Sequence, residues 1–491
     1  MQKFLFFSLL FLFAVDLNAQ KLFERITAIP AEVMIESNVE ERPFNYQAVH
    51  IDFPEFLLKL NQVTDRSAKE ISLPTPEGDM VFVVREYSMM QEGLARKYPN
   101  IKTYKGSSKD GKASVRFDVG AYGLHASIEG KDKEMYISPV SRSNKDYYYA
   151  YYMKDLPNQQ EPIKCGLEQE GVRNPSTDTK HTSARSKTSV LQEYRLAVAC
   201  TGEWGARRGT KEKALSDIVT SVNRLNQIFE QEISVTLKLI DRNDELIFLE
   251  AGTDPYPVAN VGMEIVGQST SILNSLIGVN SYDLGHVYTN TCTDVGGVAS
   301  GRACGNGKGN GVSCFGTSVL GTTNRVVSHE MGHQFSASHT FHSCENDPLG
   351  SFVGGTDFEP GSGSTIMSYA GGCGSDNIVG DNDNYFHNAS LIQMYNYLRN
   401  PTSVGYSCAN LLPMGNSAPV IQKITPSVYS IPIKTPFILN STAIDVDGDT
   451  LTYCWEQKDS TVRSTPLGMP EGNDPLFRSY PPVTRSYRTL P

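Results

Sequence analysis

Residues 329–339 read His-Glu-Met-Gly-His-Gln-Phe-Ser-Ala-Ser-His, and this stretch constrains the fold and the chemistry more than any other. The chain has 491 residues and nine histidines, and four of those histidines lie between positions 329 and 342. Histidines and a glutamate at such fixed offsets seldom arise by chance. A surface helix that carries several polar histidines is the alternative interpretation.

The spacing predicts a metal site built on a helix. Residues i and i+4 of a helix lie on one face, about 6 Å apart along the axis, so His329 and His333 can bind one ion. Glu330 is turned by about 100° and therefore reaches a water molecule more readily than the metal. His339 can supply a third nitrogen only if the chain turns sharply after His333. Three nitrogen ligands with an open fourth position are typical of catalytic zinc, with Glu330 as the base.

The motif resembles the metzincin zinc endopeptidases, in particular their reprolysin-like secreted bacterial branch. That signature is HExxHxxGxxH followed by a Met-turn, which Thr365-Ile366-Met367-Ser368-Tyr369 matches. The resemblance implies that Met367 forms a hydrophobic base beneath the zinc. It also implies that Tyr369 can stabilise an oxyanion, although typical reprolysins lack this tyrosine. Ser336 replaces the family's glycine, at a cost of about 1 kcal/mol if a positive φ is retained.

The resemblance implies an α/β (α+β) catalytic domain at residues 188–412, and the hydrophobic periodicity agrees with it. Apolar residues recur every three or four positions between residues 214 and 233, which predicts an amphipathic helix. The other predicted elements are strands at 194–199, 234–240 and 283–289, and helices at 268–277, 324–335 (the zinc helix) and 390–398.

Three further segments flank this domain. Residues 1–19 have a lysine, a short apolar run and a small residue before a cleavage position, which predicts a signal peptide and secretion. Residues 20–187 are expected to be a β-rich propeptide, with strands at 80–84, 113–117 and 147–152. Residues 415–491 resemble part of an immunoglobulin-like or cadherin-like β-sandwich module, with strands near 436–439 and 450–455.

The cysteines divide the chain unevenly. Eight of the nine lie between Cys200 and Cys454, whereas Cys165 stands alone upstream. An exported chain with nine cysteines is expected to form disulfides and to leave one thiol over. The resemblance implies that Lys164-Cys165-Gly166 can cap the zinc as a thiolate and keep a precursor latent. A buried or randomly placed cysteine is the alternative.

Other polar residues receive weaker assignments. Asp445, Asp447 and Asp449 could bind calcium, although a solvated turn is the simpler interpretation. His342 could substitute for His339 but is expected to be an ordinary polar residue. His286 is expected to be a strand histidine with its hydrogen bonds satisfied.

The predicted function is a secreted zinc metalloendopeptidase, made as a zymogen, that hydrolyses peptide bonds in proteins. The partners are then protein or peptide substrates, with no nucleic acid, no membrane span and a presumed monomer. The net charge of −10 offers no surface for nucleic acid. Two alternatives are a catalytically silent adhesion protein with a structural zinc site and a zinc hydrolase with a non-peptide substrate.

Overall fold

A computed structural model describes residues 22–35, 42–130, 133–157, 165, 190–256, 258–315, 318–345, 347, 350–424, 428, 430–432, 434–461 and 464–491. The predicted signal peptide and the predicted maturation site near residue 187 lie outside the described residues. Within the described part of the chain, no helix has the length and apolar character needed to cross a membrane.

The first sheet is antiparallel throughout, in the order β1-β2-β9-β8-β7-β6-β5-β4-β3. In β4, Phe82 and Val84 are buried while Val81 and Val83 are exposed, so alternation along the strand places one face in a core. The predicted strands at 80–84, 113–117 and 147–152 coincide with β4, β6 and β9. The strands are β1 (Phe23–Ile26), β2 (Gln47–Ile51), β3 (Lys69–Thr75), β4 (Gly78–Glu86), β5 (Lys102–Ser108), β6 (Ser114–Gly120), β7 (Gly123–Gly130), β8 (Lys133–Pro139) and β9 (Tyr147–Tyr152). Three short helices accompany them: α1 (Ala31–Ile35), α2 (Phe53–Leu60) and α3 (Glu92–Lys97).

The second sheet is mixed, in the order β11-β10-β12-β14-β13, with β15 paired to β10. The strands β11, β10, β12 and β14 run parallel, and β13 pairs antiparallel with β14 at the edge. Residues 196–200 of the central strand are fully buried, as expected for a strand covered on both faces. The strands are β10 (Val190–Cys200), β11 (Val235–Leu239), β12 (Leu284–Asn290), β13 (Gly297–Ala299), β14 (Gly311–Phe315) and β15 (Asn410–Pro413).

Helices pack on this second sheet. The predicted amphipathic helix is α5, which Thr210 caps by accepting a hydrogen bond from the Lys213 N–H at 3.2 Å. The helix α8 follows a π-helical turn at Thr323–Val327, so residues 319–334 form one helical stretch. The helices are α4 (Gly202–Ala206), α5 (Lys211–Ile233), α6 (Gly262–Ile277), α7 (Val319–Thr322), α8 (Ser328–Gln334), α9 (Asn388–Arg399) and α10 (Val404–Ser407). The predicted mixed α/β architecture after a β-rich region is therefore confirmed.

The helix α5 is buried between the two sheets. Its apolar residues, including Leu215, Ile218 and Val222, lie in the core of the second sheet. On the other side, the Thr220 hydroxyl donates to Asp118 of β6 at 2.7 Å. Contacts of this kind pack the N-terminal sheet firmly against the rest of the chain.

The residues beyond 415 form one antiparallel sheet from β16 (Val420–Ile424), β17 (Phe437–Ile444) and β18 (Tyr487–Leu490). The predicted strand at 450–455 was wrong, since only Tyr453 pairs there, in an isolated bridge with Val483. Residues farther along the chain turn back onto the domain of the second sheet, where the Ser479 carbonyl lies 3.2 Å from the Ser364 hydroxyl. A sandwich needs two facing sheets, and the described residues beyond 415 contain one, so the sandwich stays a prediction.

Six of the nine cysteines form disulfides, and all nine lie in the described residues. The pairs are Cys292–Cys314, Cys304–Cys408 and Cys344–Cys373. Cys165, Cys200 and Cys454 belong to none of them, so the expectation of one leftover thiol was wrong. An odd count cannot reveal this, because pairing requires Cα atoms within about 7 Å of each other.

Candidate metal centre

The helix α8 carries His329 and His333 one turn apart, with ring centroids separated by 4.7 Å. The helix ends at residue 334, and Ser336 then adopts a left-handed conformation with a φ of 82°. In this turn the Ala337 N–H donates to the Gly332 carbonyl at 3.0 Å. The reversal returns the chain towards the helix and brings the ring of His339 to within 4.6 Å of the His333 ring.

The Nε2 atoms of His329, His333 and His339 (the three histidines) converge on one point, and each pair is separated by 3.1 Å. Every Nδ1 atom faces a backbone carbonyl, so each Nδ1 must carry the ring proton. Every Nε2 atom therefore directs a lone pair at the other two. The carbonyl acceptors are those of Ile366, Ala337 and Ser351, at 2.7, 2.8 and 2.7 Å from His329, His333 and His339 respectively.

Three lone pairs at this separation repel one another unless a cation lies between them. A zinc ion bound tetrahedrally at about 2.0–2.1 Å separates its nitrogen ligands by about 3.3 Å, close to the spacing seen here. Burial lowers the pKa of His329 to about 4 and those of His333 and His339 well below their usual range. All three rings are therefore neutral at pH 7, as metal ligands must be, and the donor set fits a zinc ion.

The thiol of Cys165 completes the cluster. Its Sγ lies 3.5 Å from the His333 Nε2 and 3.6 Å from the Glu330 Oε2. The sulfur and the three histidine nitrogens lie within 4.8 Å of one another, and all four residues are buried. The backbone of Cys165 forms a parallel bridge with Gly297 on the edge strand β13. Cys165, which comes from the N-terminal side of the chain, therefore lies beside the histidines at the edge of the second sheet.

Glu330 is fully buried beside the sulfur. Its Oε1 atom has no hydrogen-bond partner among the described residues, and burial raises the pKa of its carboxyl well above the usual range. The carboxylate fits only because residue 297 is glycine, since a Cβ there would approach the Glu330 Oε1 to 2.6 Å. A buried carboxyl with an open coordination site beside it can accept and return a proton.

Met367 and Tyr369 lie in the same loop as Ile366, whose carbonyl accepts the hydrogen bond from the His329 ring. The Tyr369 hydroxyl lies 3.3 Å from the amide nitrogen of Cys165 and 3.4 Å from its carbonyl oxygen. Burial raises the pKa of this phenol well above its usual range, so the hydroxyl keeps its proton. Met367 is buried beneath α8, where a Cβ on Gly332 would lie 2.5 Å from its sulfur. The structure therefore brings together all seven residues that the sequence singled out for the site.

Two other histidines lie elsewhere. His286 in β12 is buried and contacts Gln334 and Ser313, each at 2.9 Å, as expected for a satisfied strand histidine. His342 lies outside the cluster, but it is more than an ordinary polar residue. It is buried, and its ring nitrogens lie 2.9 Å from the Asp357 carboxylate and 3.0 Å from the Thr465 hydroxyl of the C-terminal segment.

The calcium site expected at residues 445–449 is not supported. Asp445 accepts hydrogen bonds from the backbone N–H groups of Asp447 and Asp449 at 2.9 and 3.2 Å, and Asp447 accepts one from Ser417 at 2.6 Å. These carboxylates stabilise a turn, as the simpler interpretation held. Among the described residues, the only clustered group of three or more potential metal ligands is Cys165 with the three histidines.

Two residues of the site were missed from the sequence. Gly297 lies in a glycine pair whose close approach to Glu330 is visible only in the folded chain. Glu359 lies in a loop rich in glycine and aspartate, without a motif, yet it hydrogen-bonds to residues on both sides of the cluster. No local sequence signal distinguishes it from other surface-loop acids.

Comparisons with known proteins agree with this geometry. Residues 191–398 match the family described as metallo-peptidase family M12B, reprolysin-like. A solved structure titled "Structure of a chaperone-substrate complex" is 14% identical with a TM-score of 0.27, over 53% of this chain and 36% of that chain. A TM-score this low supports no argument about fold or function. The family match, in contrast, spans strands of the second sheet as well as the histidine motif. The segment from residue 191 to residue 398 is thus a reprolysin-like metallopeptidase domain of family M12B.

Proposed function

We propose that this chain is a secreted zinc metalloendopeptidase made as a latent precursor. In this proposal residues 1–19 are a signal peptide, 20–187 a propeptide, 188–412 the peptidase domain and 415–491 a partial sandwich module. The three histidines hold the zinc, and Met367 packs beneath it in the Met-turn. Disulfides in the peptidase domain are consistent with an extracellular location.

One observation carries the proposal. Three Nε2 lone pairs converge at 3.1 Å while their Nδ1 protons are held by carbonyls, and a buried carboxyl with a vacant oxygen lies beside them. A structural zinc site needs no buried carboxyl of this kind, and the fourth ligand position here belongs to Cys165 of the proposed propeptide, which maturation would remove. The arrangement therefore favours hydrolysis over a purely structural role.

Each residue has a defined task in the proposed reaction. Zinc supplies Lewis acidity, which makes water a better nucleophile and polarises the scissile carbonyl. Glu330 takes a proton from the attacking water through its vacant Oε1 and later returns it to the leaving amine. Tyr369 donates a hydrogen bond from its phenolic hydroxyl to the oxyanion that develops on the scissile carbonyl oxygen and keeps its proton throughout. Gly297 leaves room for the carboxyl, and the buried site excludes bulk water.

The substrate is proposed to bind in extended form along β13. The bridge between Cys165 and Gly297 supports this, since the backbone of Cys165 pairs with that strand. The Tyr369 hydroxyl also contacts the backbone carbonyl of Cys165 beside the histidines. A peptide substrate in the place of Cys165 would meet the same groups, which favours peptides over other hydrolysable compounds.

Replacing Glu330 with Gln tests the mechanism. The mature form of the Glu330→Gln variant should retain one zinc ion per chain but cleave casein at least about 100-fold more slowly, because the proton acceptor is lost. A chelator should abolish cleavage by the unaltered protein. Undiminished cleavage by the variant contradicts the proposed role, and a zinc-loaded but inactive unaltered protein supports the silent-adhesin alternative.

Cys165 is proposed to maintain latency as a fourth ligand. Replacing zinc by cobalt in the full chain should then produce a thiolate-to-cobalt charge-transfer band, because the Sγ lies among the ligand nitrogens. The Cys165→Ser variant should lose the band and gain proteolytic activity without cleavage of the chain. Cys200→Ser, which alters a remote buried thiol, is the control and should change neither property. If the band survives in Cys165→Ser, the latency proposal is wrong.

A further inference from the structure

The positions of His329 and His339 depend on two segments that lie outside α8. The ring of His329 donates to the Ile366 carbonyl at 2.7 Å, and that carbonyl belongs to the loop of residues 364–369. His339 lies in the return segment that follows the helix, next to Thr340. The relative position of these two segments therefore determines whether the two Nε2 atoms converge.

A single carboxylate joins the two segments. The Glu359 Oε1 accepts a hydrogen bond from the Thr340 hydroxyl at 2.6 Å and another from the Thr365 hydroxyl. Its Oε2 accepts from the backbone N–H groups of Ser364 at 2.8 Å and Thr365 at 3.1 Å. These four bonds, all from uncharged donors, occupy the acceptor positions of both carboxylate oxygens.

Backbone hydrogen bonds connect the same two segments. The Glu359 N–H donates to the Thr340 carbonyl at 3.0 Å, and the Thr340 N–H donates to the Met367 carbonyl at 3.1 Å. Glu359 is fully buried, and among the described residues no cation forms an ion pair with it. Burying a carboxylate costs free energy unless hydrogen bonds stabilise it, and these four donors supply that stabilisation while they connect the two segments.

We propose that Glu359 is a positioning residue of the metal centre, which aligns His329 through the Thr365–Ile366 backbone and His339 through Thr340. This inference rests on the proposed zinc peptidase function. Outer residues that orient metal-binding histidines influence affinity as well as activity. Glu359 touches neither the ion nor the substrate, so its effect reaches both only through the geometry of the two histidines.

Zinc affinity of the full chain, measured by competition with a chromophoric chelator, tests this role. Glu359→Ala should weaken zinc binding about 10- to 100-fold, the range typical of such outer residues. Glu359→Gln should recover much of this loss, because its amide oxygen can still accept from the two backbone N–H groups. Thr340→Val removes one donor only and should weaken binding less than Glu359→Ala.

Asp283→Asn is the matched control. Asp283 is another buried carboxylate, which accepts from the Arg195 N–H at 2.8 Å at the start of β12. The Asp283→Asn variant should lose stability in urea without losing zinc affinity. If it weakens zinc binding as much as Glu359→Ala does at a similar loss of stability, the positioning role is wrong.

The remaining outcomes are also decisive. If Glu359→Ala fails to fold, unchanged zinc affinity in both Glu359→Gln and Thr340→Val overturns the inference. Failure of the unaltered chain to bind zinc overturns the proposed function itself. An unaltered chain that binds zinc and whose mature form cleaves casein, beside Glu359 variants that bind zinc equally well, overturns only the role of Glu359.

Discussion

Ser336 ends the histidine helix at a backbone conformation that favours glycine. Its φ of 82° lies in the left-handed region, where a Cβ crowds the neighbouring carbonyl. The sequence predicted a sharp turn at this position from the spacing of His333 and His339, and the structure contains it. Serine is thus tolerated in the turn at some cost in free energy, and the turn still delivers His339 to the cluster.

Ser336→Gly should stabilise the chain by about 1 kcal/mol, because glycine adopts a positive φ without strain. Urea unfolding of the metal-free protein measures the gain. Ser336→Ala keeps the Cβ and loses only the hydroxyl, so it should give no comparable gain. An equal effect of both substitutions would show that the hydroxyl, and not the backbone conformation, determines the difference.

Helix α5 and strand β8 both contact the π-helical turn that precedes the histidine helix α8. The Asn324 side chain in this turn accepts from the Arg224 Nε of α5 at 2.7 Å and donates to the Tyr136 hydroxyl of β8 at 3.1 Å. Such turns interrupt α-helices mainly at functional sites. The N-terminal sheet therefore packs against the helical stretch at Asn324, whereas Cys165 contacts the same stretch at the His333 side chain.

Arg224→Met should lower the free energy of unfolding by about 3 kcal/mol, the lower end for a buried pair, because it leaves two partly buried acids without their cation. Arg224 is 2% exposed and pairs with Glu129 at 3.2 Å and also with Glu134. Arg242→Met is the control, since Arg242 pairs with Glu245 at the surface and should cost less than about 1 kcal/mol. Similar losses in the two variants would contradict the buried ion cluster.

Acidic side chains are packed together where the N-terminal sheet, helix α5 and the C-terminal segment meet. Glu232, near the end of α5, accepts from the Phe386 N–H at 3.0 Å, and Glu129 and Glu456 lie near enough to repel it. Burial raises the pKa of Glu232 to about 7. The folded chain therefore binds a proton there more tightly than the unfolded chain, and this contribution to stability is lost as the pH rises from about 4.5 towards 7.

Glu232→Gln should remove that pH dependence, because its neutral amide resembles the protonated acid. The variant should match the unaltered protein near pH 5 and exceed its free energy of unfolding by about 1–2 kcal/mol at pH 8. Urea titrations at both values measure the difference. Parallel stability curves for the two proteins across this range would show that Glu232 does not titrate as described.

Much of the fold was predictable because its signals are local. Helix α5 follows from an apolar period of 3.6, and the strands β4, β6 and β11 follow from alternation, whereas β10 and β12 were predicted from the family resemblance. The strand at 450–455 was wrong, because that segment has the composition of a strand but packs as an irregular chain against the peptidase unit. Amino-acid composition does not specify which other part of the chain a segment packs against.

The sequence alone predicted that His329, His333 and His339 come together beside Glu330 through a sharp turn, since helical spacing and a fixed offset depend only on nearby residues. The folded chain was needed to show that Cys165, more than 160 residues upstream of Glu330, lies within 3.6 Å of it. It also decided which cysteines pair, that Gly297 makes room for the carboxyl and that Glu359 joins two segments. These features depend on contacts between distant parts of the chain, which have no period or spacing in the sequence.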